Sequence, residues 1–239
     1  KGKSKRFDVQ RFERNLEDNL FELYESLKNK TYKHGNYYSF YVNDPKQRHI
    51  HKASVTDRVV HHLLYTFLYK LFDSSFIYDS YSCRLDKGTH KGVSRLVRFT
   101  RKVSKNYTKP CFVLKLDIKK FFASVDHKVL LTLLKQKIQD DDIVWLIEQI
   151  IDSFHSDKGE GKGMPLGNLT SQVFANIYLN ELDQFVKHKL KVKYYLRYAD
   201  DFIILNSDKS NYVQYTSILA QFLKDNLKLE LNQKKIEVR

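Results

Sequence analysis

Cysteine, proline, glycine and long apolar runs are all scarce in this sequence of 239 residues. The two cysteines, Cys83 and Cys111, form neither a disulfide framework nor a metal-ligand spacing, as in proteins of reducing compartments. With 8 glycines and 3 prolines, long flexible linkers are not expected. No apolar run approaches the roughly 20 residues that cross a bilayer, and no apolar core follows the basic first residues. These absences predict a cytoplasmic protein without membrane contact.

Positive charge is in excess, because 42 lysines and arginines face 28 acids for a net charge of +14. This excess favours a polyanionic partner, since each phosphate neutralised by a cation releases a counterion. A solvated lysine-rich surface without any such partner remains the alternative. In a helix predicted over about residues 90–104, Val93, Leu96 and Val97 are expected to point inward. The other side indicates a phosphate-contacting face formed by Lys91, Arg95, Arg98, Arg101, Lys102 and Lys105.

Apolar spacing in the first half predicts two long helices around a pair of strands. One helix is indicated by apolar residues three or four positions apart, namely Phe12, Leu16, Leu20, Leu23 and Leu27. Aromatic alternation over residues 37–42 predicts a strand, and a turn at 43–45 leads into a second strand near 48–51. A capping box of Ser54 and Asp57 opens the other helix, whose predicted inner face is Val60, Leu64, Phe67 and Leu71.

The second half alternates helices with strands. Residues 111–118 predict a central strand, a strand pair flanks residues 200–201, and residues 229–238 are expected to be extended. Helical patterns cover residues 127–139, 142–154, the segment after Pro165, and 213–226. This order predicts an α+β fold with an antiparallel sheet. Residues 106–110 mark the predicted boundary between two subdomains.

Three acids are candidates for chemistry. Asp200 and Asp201 lie between apolar strand formers, which is typical of a hairpin tip because Asp tolerates turn geometry. A plain Asp-rich turn has the same pattern, but adjacent carboxylates repel unless a cation lies between them. Asp117 ends the predicted central strand, where burial of an isolated acid is costly. Their oxygen ligands suit two Mg²⁺ ions, an arrangement that serves in-line phosphoryl transfer.

Several segments follow one another in the order found in reverse transcriptases. The principal ones are Tyr198–Asp201 (Tyr-Ala-Asp-Asp), Leu116–His127 and Gly163–Gln172. Upstream, the match extends through Pro45–Arg48, Asp57–Val60 and Ser82–His90. Nearly the whole chain therefore resembles prokaryotic reverse transcriptases of the group II intron, retron and diversity-generating retroelement types.

The resemblance implies a right-hand polymerase, with fingers in residues 1–108 and an antiparallel palm sheet with packed helices in residues 109–239. The family's thumb is absent from this sequence, so weak primer–template binding is expected of the chain alone. The implied activity is RNA-directed DNA polymerisation. The implied cofactors are two Mg²⁺ ions, with Mn²⁺ as a substitute. The implied partners are an RNA template, a DNA or RNA primer, dNTPs and an accessory protein.

Four positions match the family's catalytic centre. Asp117, Asp200 and Asp201 are implied as catalytic, metal-binding acids. The backbone carbonyl of Ile118 is implied as an additional metal ligand. Lys235 stands where the family has a lysine proposed to protonate pyrophosphate.

Other positions match the nucleotide site. Phe122, five residues after Asp117, matches the aromatic gate that would clash with a 2′-hydroxyl and so favours dNTPs. A core aromatic is the alternative, and Phe121 is interpreted as one. Lys46 and Arg48 match fingers cations that hold the triphosphate.

The segment around residue 167 carries a further part of the resemblance. Gly167 is expected to let the backbone approach the nascent pair closely, and Gln172 is expected to touch the template base or the incoming nucleotide. Many intron enzymes have Gln-Gly and later Ser-Pro here, whereas this sequence has Leu166 before the glycine and Gln172 after Ser171. That departure resembles the diversity-generating retroelement branch, whose enzymes misincorporate at adenines.

Template and primer contacts are implied for Arg84, Arg95, Arg98 and Tyr198. Three alternatives to the retroelement reading stay open. They are a group II intron-like enzyme, a phage-defence enzyme that polymerises without a template, and a non-catalytic nucleic-acid-binding scaffold. The intact acids argue against the scaffold.

Overall fold

The computed structural model describes residues 5–43 and 46–239, so most of the predicted turn at 43–45 lies outside the described residues. Helices and strands alternate along the chain, which confirms the α+β prediction. The described helices are α1 (Phe7–Arg14), α2 (Leu16–Lys28), α3 (Val55–Phe72), α4 (Thr89–Val103), α5 (Phe121–Ser124), α6 (His127–Lys135), α7 (Asp141–Ile151), α8 (Leu169–Gln184) and α9 (Tyr212–Leu227). None of them is long and apolar enough to cross a membrane.

The strands form two separate antiparallel sheets in the described part of the chain. Strands β1 (Tyr38–Asn43) and β2 (Gln47–Lys52) make a hairpin, as the aromatic alternation predicted. The second sheet has the order β4-β5-β3-β6 and contains β3 (Phe112–Asp117), β4 (Tyr195–Tyr198), β5 (Asp201–Asn206) and β6 (Glu237–Val238). The segment expected to be extended over 229–238 is mostly irregular, with a short 3₁₀ turn at Gln233–Lys235 and pairing only at Leu231 and in β6.

The first predicted helix is broken in two at Asn15, whose φ of −121° and ψ of 45° are not helical. Asparagine favours such a break because its side chain competes with the backbone for hydrogen bonds. Of the five residues in the predicted stripe, only Leu23 is buried, while Leu16 and Leu20 are 43% and 41% exposed. Of the stripe, only Leu23 therefore packs fully into the core, and the prediction of a single helix was wrong.

The long helix α8 lies in the main core, where most of its residues are buried. Helix α3 packs against it and begins at the predicted cap, where the Ser54 hydroxyl oxygen accepts the backbone N–H of Asp57 at 3.1 Å. Its inner face was only partly predicted, because Leu68 is buried in place of the exposed Phe67. Helix α8 is joined to the four-stranded sheet, because Asp183 accepts hydrogen bonds from Tyr195 and Arg197 of β4.

Helix α4 packs on β4 and β5 only partly through the residues predicted to point inward. Leu96 packs against this part of the core as predicted, but Val93 and Val97 are 54% and 40% exposed, whereas Gly92 and Phe99 are buried. Gly92 faces Tyr81, since a Cβ there would lie in ordinary contact with this ring, 3.5 Å from Cγ. Because α4 contacts strands that follow residue 109, the division of the chain into fingers and palm at that residue remains a prediction.

Candidate active site

A two-residue turn, Ala199–Asp200, joins β4 to β5, with Tyr198 paired to Asp201. Ala199 has a φ of 52°, the left-handed conformation, which costs an L-residue about 1–2 kcal/mol. The turn is tied to β3, because the backbone N–H of Ile118 donates to the carbonyl of Asp200 at 3.3 Å. The predicted hairpin tip is therefore confirmed, and its position is fixed by the central strand.

Antiparallel pairing of β3 with β5 places Asp117 directly opposite Asp201. Asp117 is only 3% exposed, and its carboxylate accepts two hydrogen bonds. Lys235 donates to Oδ2 at 2.5 Å, and the side-chain amide of Asn232 donates to Oδ1 at 3.1 Å. Since the backbone N–H of Asn232 also donates to the Asp117 carbonyl at 2.8 Å, the irregular segment after α9 serves to hold this acid.

The pKa values of Asp200 and Asp201 lie above the usual range of a carboxyl group. Burial raises the pKa of Asp200 first, and the charges of Asp201 and Asp117 raise it further. Burial and Asp117 likewise raise the pKa of Asp201, while the cations Lys115, Lys235 and Lys46 lower it. The hydrogen bond to Asp117 raises the pKa of Lys235, so its ammonium charge is secured. The sheet end is thus an unfavourable concentration of negative charge that cations compensate.

These residues suit a divalent cation by their chemistry, since three hard carboxylates lie at one strand end. Among residues 5–43 and 46–239, however, no three acidic, histidine or cysteine side chains converge closely enough to hold a metal ion by themselves. Asp117 is turned toward Lys235 and Asn232, which accounts for this. A cation here needs further oxygen ligands, as expected for sites completed by substrate phosphates.

The backbone carbonyl of Ile118 lies beside these acids. The bridge between Ile118 and Leu231 uses hydrogen bonds of the neighbouring Asp117 carbonyl and Lys119 N–H. The Ile118 carbonyl is therefore outside that ladder. Its role as a metal ligand remains a prediction.

A cleft of about 800 Å³ separates the β1–β2 hairpin from the catalytic sheet. Phe122 and Asp200 line it, as does Phe121, which is only 2% exposed and belongs to the core as predicted. The loop before α8 forms part of its floor, because Met164 N–H donates to the Phe122 carbonyl at 2.7 Å. The other residues that line it are Tyr41, Gln47, His49, His51, Lys120, Ala123, Phe154, His155, Ser156, Asp157, Met164 and Leu166.

Gly167 is where the hairpin meets the palm. Its φ is +112°, and a Cβ there would lie 2.8 Å from Cγ2 of Ile50. On either side, the N–H of His51 donates to the Leu166 carbonyl at 2.9 Å, and the Asn168 amide donates to the His51 carbonyl at 2.8 Å. The close approach that this glycine permits is therefore to the hairpin. Its expected contact with a nascent base pair stays a prediction.

The strand register separates the predicted triphosphate cations from other hairpin residues. In β2, Gln47, His49 and His51 line the cleft, so Arg48 lies on the opposite face of the strand. Lys46 is exposed and close enough to Asp201 to lower the pKa of that acid. The two histidines were not singled out from the sequence, because alternation alone does not say which face of a hairpin meets the cleft.

The arginines predicted to contact the template differ in whether their guanidinium groups are available to a ligand. Arg84 donates to the Asp73 carboxylate at 2.7 Å and to the Ile77 carbonyl at 2.7 Å, and Arg95 pairs with Asp79 at 2.7 Å. Both are thus engaged in internal contacts. Arg98, by contrast, is exposed beside a groove of about 250 Å³ on α4.

Two more predicted contacts lie on the surface. Tyr198 is 40% exposed next to the catalytic turn, and its hydroxyl accepts a hydrogen bond from Thr89 at 3.1 Å. Gln172 is exposed in the first turn of α8 and is not among the residues that line the cleft. The roles of both remain predictions.

A buried ion pair beneath the turn went unnoticed in the sequence. Arg197 and Asp183 are both fully buried and lie 2.7 Å apart. A charged residue within the apolar segment before the turn was the available signal. Its partner lies 14 residues away on a different element, helix α8, and no local pattern indicated the pairing.

Comparison with known proteins identifies the family. A family model described as Reverse transcriptase (RNA-dependent DNA polymerase) matches residues 33–239. Protein YkfC of Escherichia coli (strain K12) is 24% identical over 229 residues, covering 81% of this chain and 60% of that protein. Group II intron-encoded protein LtrA of Lactococcus lactis subsp. cremoris is 26% identical over 185 residues, covering 74% of this chain and 30% of that protein. The chain thus spans 60% or less of the length of these relatives.

Solved structures show the same fold. Telomerase from Candida albicans, in complex with a fragment of telomeric RNA, superposes with a TM-score of 0.63 at 15% identity, covering 91% of this chain and 47% of that one. Apo telomerase from Candida tropicalis gives a TM-score of 0.61 at 14% identity, covering 87% of this chain and 45% of that one. With the catalytic hairpin formed as its sequence predicted, and with a family match over most of its length, the chain belongs to the reverse transcriptase family.

Proposed function

We propose that this chain carries the catalytic centre of an RNA-directed DNA polymerase, which adds dNTPs to a primer 3′-hydroxyl by two-metal phosphoryl transfer. The observation that carries the proposal is the register of β3 and β5, which sets Asp117 opposite Asp201 and beside Asp200. Enzymes of this family generally use divalent metal ions. Two Mg²⁺ ions, replaceable by Mn²⁺, are the proposed cofactors.

The chain's own residues would divide the work. Asp117, Asp200 and Asp201 would hold the cations, together with the Ile118 carbonyl and the substrate phosphates. Bound divalent ions lower the pKa of an attacking hydroxyl and neutralise charge on the leaving group. Lys235, whose ammonium lies 2.5 Å from the Asp117 carboxylate, is close enough to the centre to donate a proton to pyrophosphate.

The cleft suits a nucleotide. Phe122 lines its wall next to the catalytic turn, where an aromatic face would stack against the sugar and clash with a 2′-hydroxyl. Lys46, exposed at the hairpin, would contact the triphosphate. Arg48 lies on the opposite face of β2, so its side chain would reach the triphosphate only by extending around the edge of the hairpin. Gly167 and Gln172 would lie near the templating base.

An RNA template and a DNA or RNA primer are the proposed nucleic-acid partners. The groove on α4 is lined by Lys87, Lys91 and Arg98 together with the largely exposed Tyr78, a combination of cations and an aromatic ring that suits a nucleic-acid strand. Tyr198 continues this surface toward the catalytic turn. Arg95 would line this groove as well, whereas Arg84 would support the neighbouring loop through its contacts with Asp73 and Ile77.

Primer extension on an RNA template tests the catalytic assignment. Asp200→Asn is expected to reduce dNTP incorporation to background while RNA binding, followed by fluorescence anisotropy, is retained. The matched control is Asp225→Asn, which neutralises an exposed acid on α9 whose partner is Gln221. Undiminished incorporation by Asp200→Asn would contradict the two-metal assignment. Loss of incorporation in both variants would show that the effect is not specific to the site.

For the type of element, we propose a diversity-generating retroelement, on the strength of Leu166 and Gln172. The similarity to LtrA favours a second candidate, a group II intron-like enzyme. Sequencing the products of a defined RNA template separates the two, since frequent errors confined to template adenines are expected only of the first. Stimulation by a separate accessory protein would agree with the same assignment. Incorporation without any template would instead support a phage-defence enzyme.

A further inference from the structure

A buried arginine lies directly beneath the catalytic turn. Arg197 has no exposed surface, and each of its five N–H groups has an acceptor. Its Nε and Nη2 donate to the Asp183 carboxylate at 2.8 and 2.7 Å, and Nη2 also donates to Ser80 Oγ at 3.0 Å. Its Nη1 donates to Asn176 Oδ1 at 3.4 Å and to the Ala199 carbonyl at 3.0 Å. The guanidinium thus joins helix α8 to the turn.

The contact with Ala199 acts on the turn itself. Ala199 has a φ of 52°, a conformation that an L-residue adopts reluctantly. Its carbonyl belongs to the same planar peptide as the N–H of Asp200. A hydrogen bond that fixes this carbonyl therefore fixes the plane from which Asp200 projects, and with it the direction of the Asp200 side chain.

The partner of Arg197 is held just as firmly. Asp183 is fully buried, and the Tyr195 hydroxyl donates to it at 2.7 Å. Asn176, two turns earlier on the same face of α8, is fixed by its side-chain amide, which donates to the Ser82 carbonyl at 2.9 Å. A buried ion pair of this kind is often no more stable than apolar side chains of the same size. A gain in stability therefore does not account for this ion pair, whereas a role in orienting the turn does.

We propose that Arg197 is a positioning residue, which uses Asp183 as its anchor and the Ala199 carbonyl as its point of action to aim the Asp200 carboxylate at Asp117 and Asp201. It touches neither the nucleotide cleft nor the acids themselves. The inference rests on the proposed catalytic role of Asp200. It adds to that role a device for holding the turn in place.

Arg197→Lys is the principal test, because lysine keeps the charge opposite Asp183 but has a single nitrogen that cannot reach both Asp183 and Ala199. We expect kcat for dNTP incorporation to fall about tenfold to a hundredfold with KM for dNTP unchanged. Mn²⁺ binding in the presence of dNTP, which supplies the phosphate ligands, is followed by electron paramagnetic resonance and should weaken by about tenfold.

Tyr178→Phe is the matched control, since it removes a buried hydrogen bond of α8, from the Tyr178 hydroxyl to the Leu227 carbonyl, and leaves the contacts of Arg197 with Asp183 and Ala199 intact. It should lower the melting temperature, yet keep the wild-type kcat and Mn²⁺ affinity. Equal losses of kcat at equal losses of melting temperature would overturn the proposal, because the role would then be structural. Wild-type kcat and Mn²⁺ affinity in Arg197→Lys would overturn it as well.

The double variant Arg197→Met/Asp183→Leu covers the case in which the lysine variant does not fold, because it removes both buried charges together. If it folds, low kcat and weak Mn²⁺ binding support the proposal, and wild-type values refute it. Failure of this inference is distinguishable from failure of the proposed function. In the first case the wild type is active and Asp200→Asn inactive, whereas in the second Asp200→Asn retains activity.

Discussion

Replacement of Gly167 by alanine should loosen the β1–β2 hairpin from the catalytic sheet. At a φ of +112° an alanine is strained, by about 1–3 kcal/mol. Its Cβ would also lie 2.8 Å from Cγ2 of Ile50, and overpacking of this kind costs about 1–3 kcal/mol more. Since 1 kcal/mol shifts the melting temperature of a chain of this size by about 2–4 °C, the variant should melt at least about 4 °C lower.

Gly159 provides the matched control. Its φ is +116°, but nothing lies within 4 Å of the position that a Cβ would take. Gly159→Ala therefore incurs the backbone strain without the contact, and the difference in unfolding free energy between the two variants measures the contact with Ile50. Thermal unfolding followed by circular dichroism gives both values.

Function should separate the two variants further. The hairpin lines the nucleotide cleft, so Gly167→Ala should raise KM for dNTP, by about tenfold for each 1.4 kcal/mol of docking free energy lost. Gly159→Ala should leave KM unchanged. Adding Ile50→Ala removes Cγ2 and should restore part of the stability of Gly167→Ala. Equal melting temperatures for the two glycine variants, or an unchanged KM in Gly167→Ala, would refute the reasoning.

Three further predictions concern other parts of the chain. Burial lowers the pKa of His61 from 6.5 to about 4, so the folded state binds fewer protons than the unfolded state between these pH values. Up to about 3 kcal/mol of stability is therefore fully present above pH 6.5 and is lost as the pH falls toward 4. Urea unfolding at pH 6.5 and at pH 4 should show a smaller loss of unfolding free energy in His61→Gln than in the wild type. Phe122→Val should increase rNTP incorporation relative to dNTP, measured as a ratio of kcat/KM, and an unchanged ratio would make Phe122 a packing residue. Asp140 caps α7 by accepting N–H groups of Asp142 and Ile143; Asp140→Ala should lower stability by about 1 kcal/mol without changing incorporation.

Much of the fold could be predicted from interactions between residues that are close together in the sequence. The catalytic hairpin was predicted because strand formers and turn-tolerant acids lie within a few residues of each other, and the start of α3 was predicted because Ser54 and Asp57 are three residues apart. In both cases the interacting groups are neighbours along the chain. The identity of the three acids needed the family resemblance as well, since an Asp-rich turn alone has no unique meaning.

Features that depend on distant partners were missed or mistaken. The inner face of α4 was predicted correctly only at Leu96, because the buried Gly92 and Phe99 contact Tyr81 and Tyr194, which no pattern within the helix records. The face of the β1–β2 hairpin that meets the cleft depends on how the hairpin docks at Gly167. The pair of Arg197 and Asp183 joins a strand to a helix, and no local pattern records which acid an arginine will meet.

The proposed catalytic centre concentrates negative charge, and the surrounding residues hold its three acids in place despite their repulsion. Three acids lie at one sheet end, and burial, followed by the charges of the neighbouring acids, raises the pKa values of Asp200 and Asp201. Each is nevertheless held by a different feature: strand register for Asp201, Lys235 for Asp117, and the turn above Arg197 for Asp200. Because Lys235 already neutralises Asp117, a cation that binds this acid must compete with an ammonium group. Metal affinity should therefore depend on the substrate phosphates, which add the oxygen ligands that the free site does not supply.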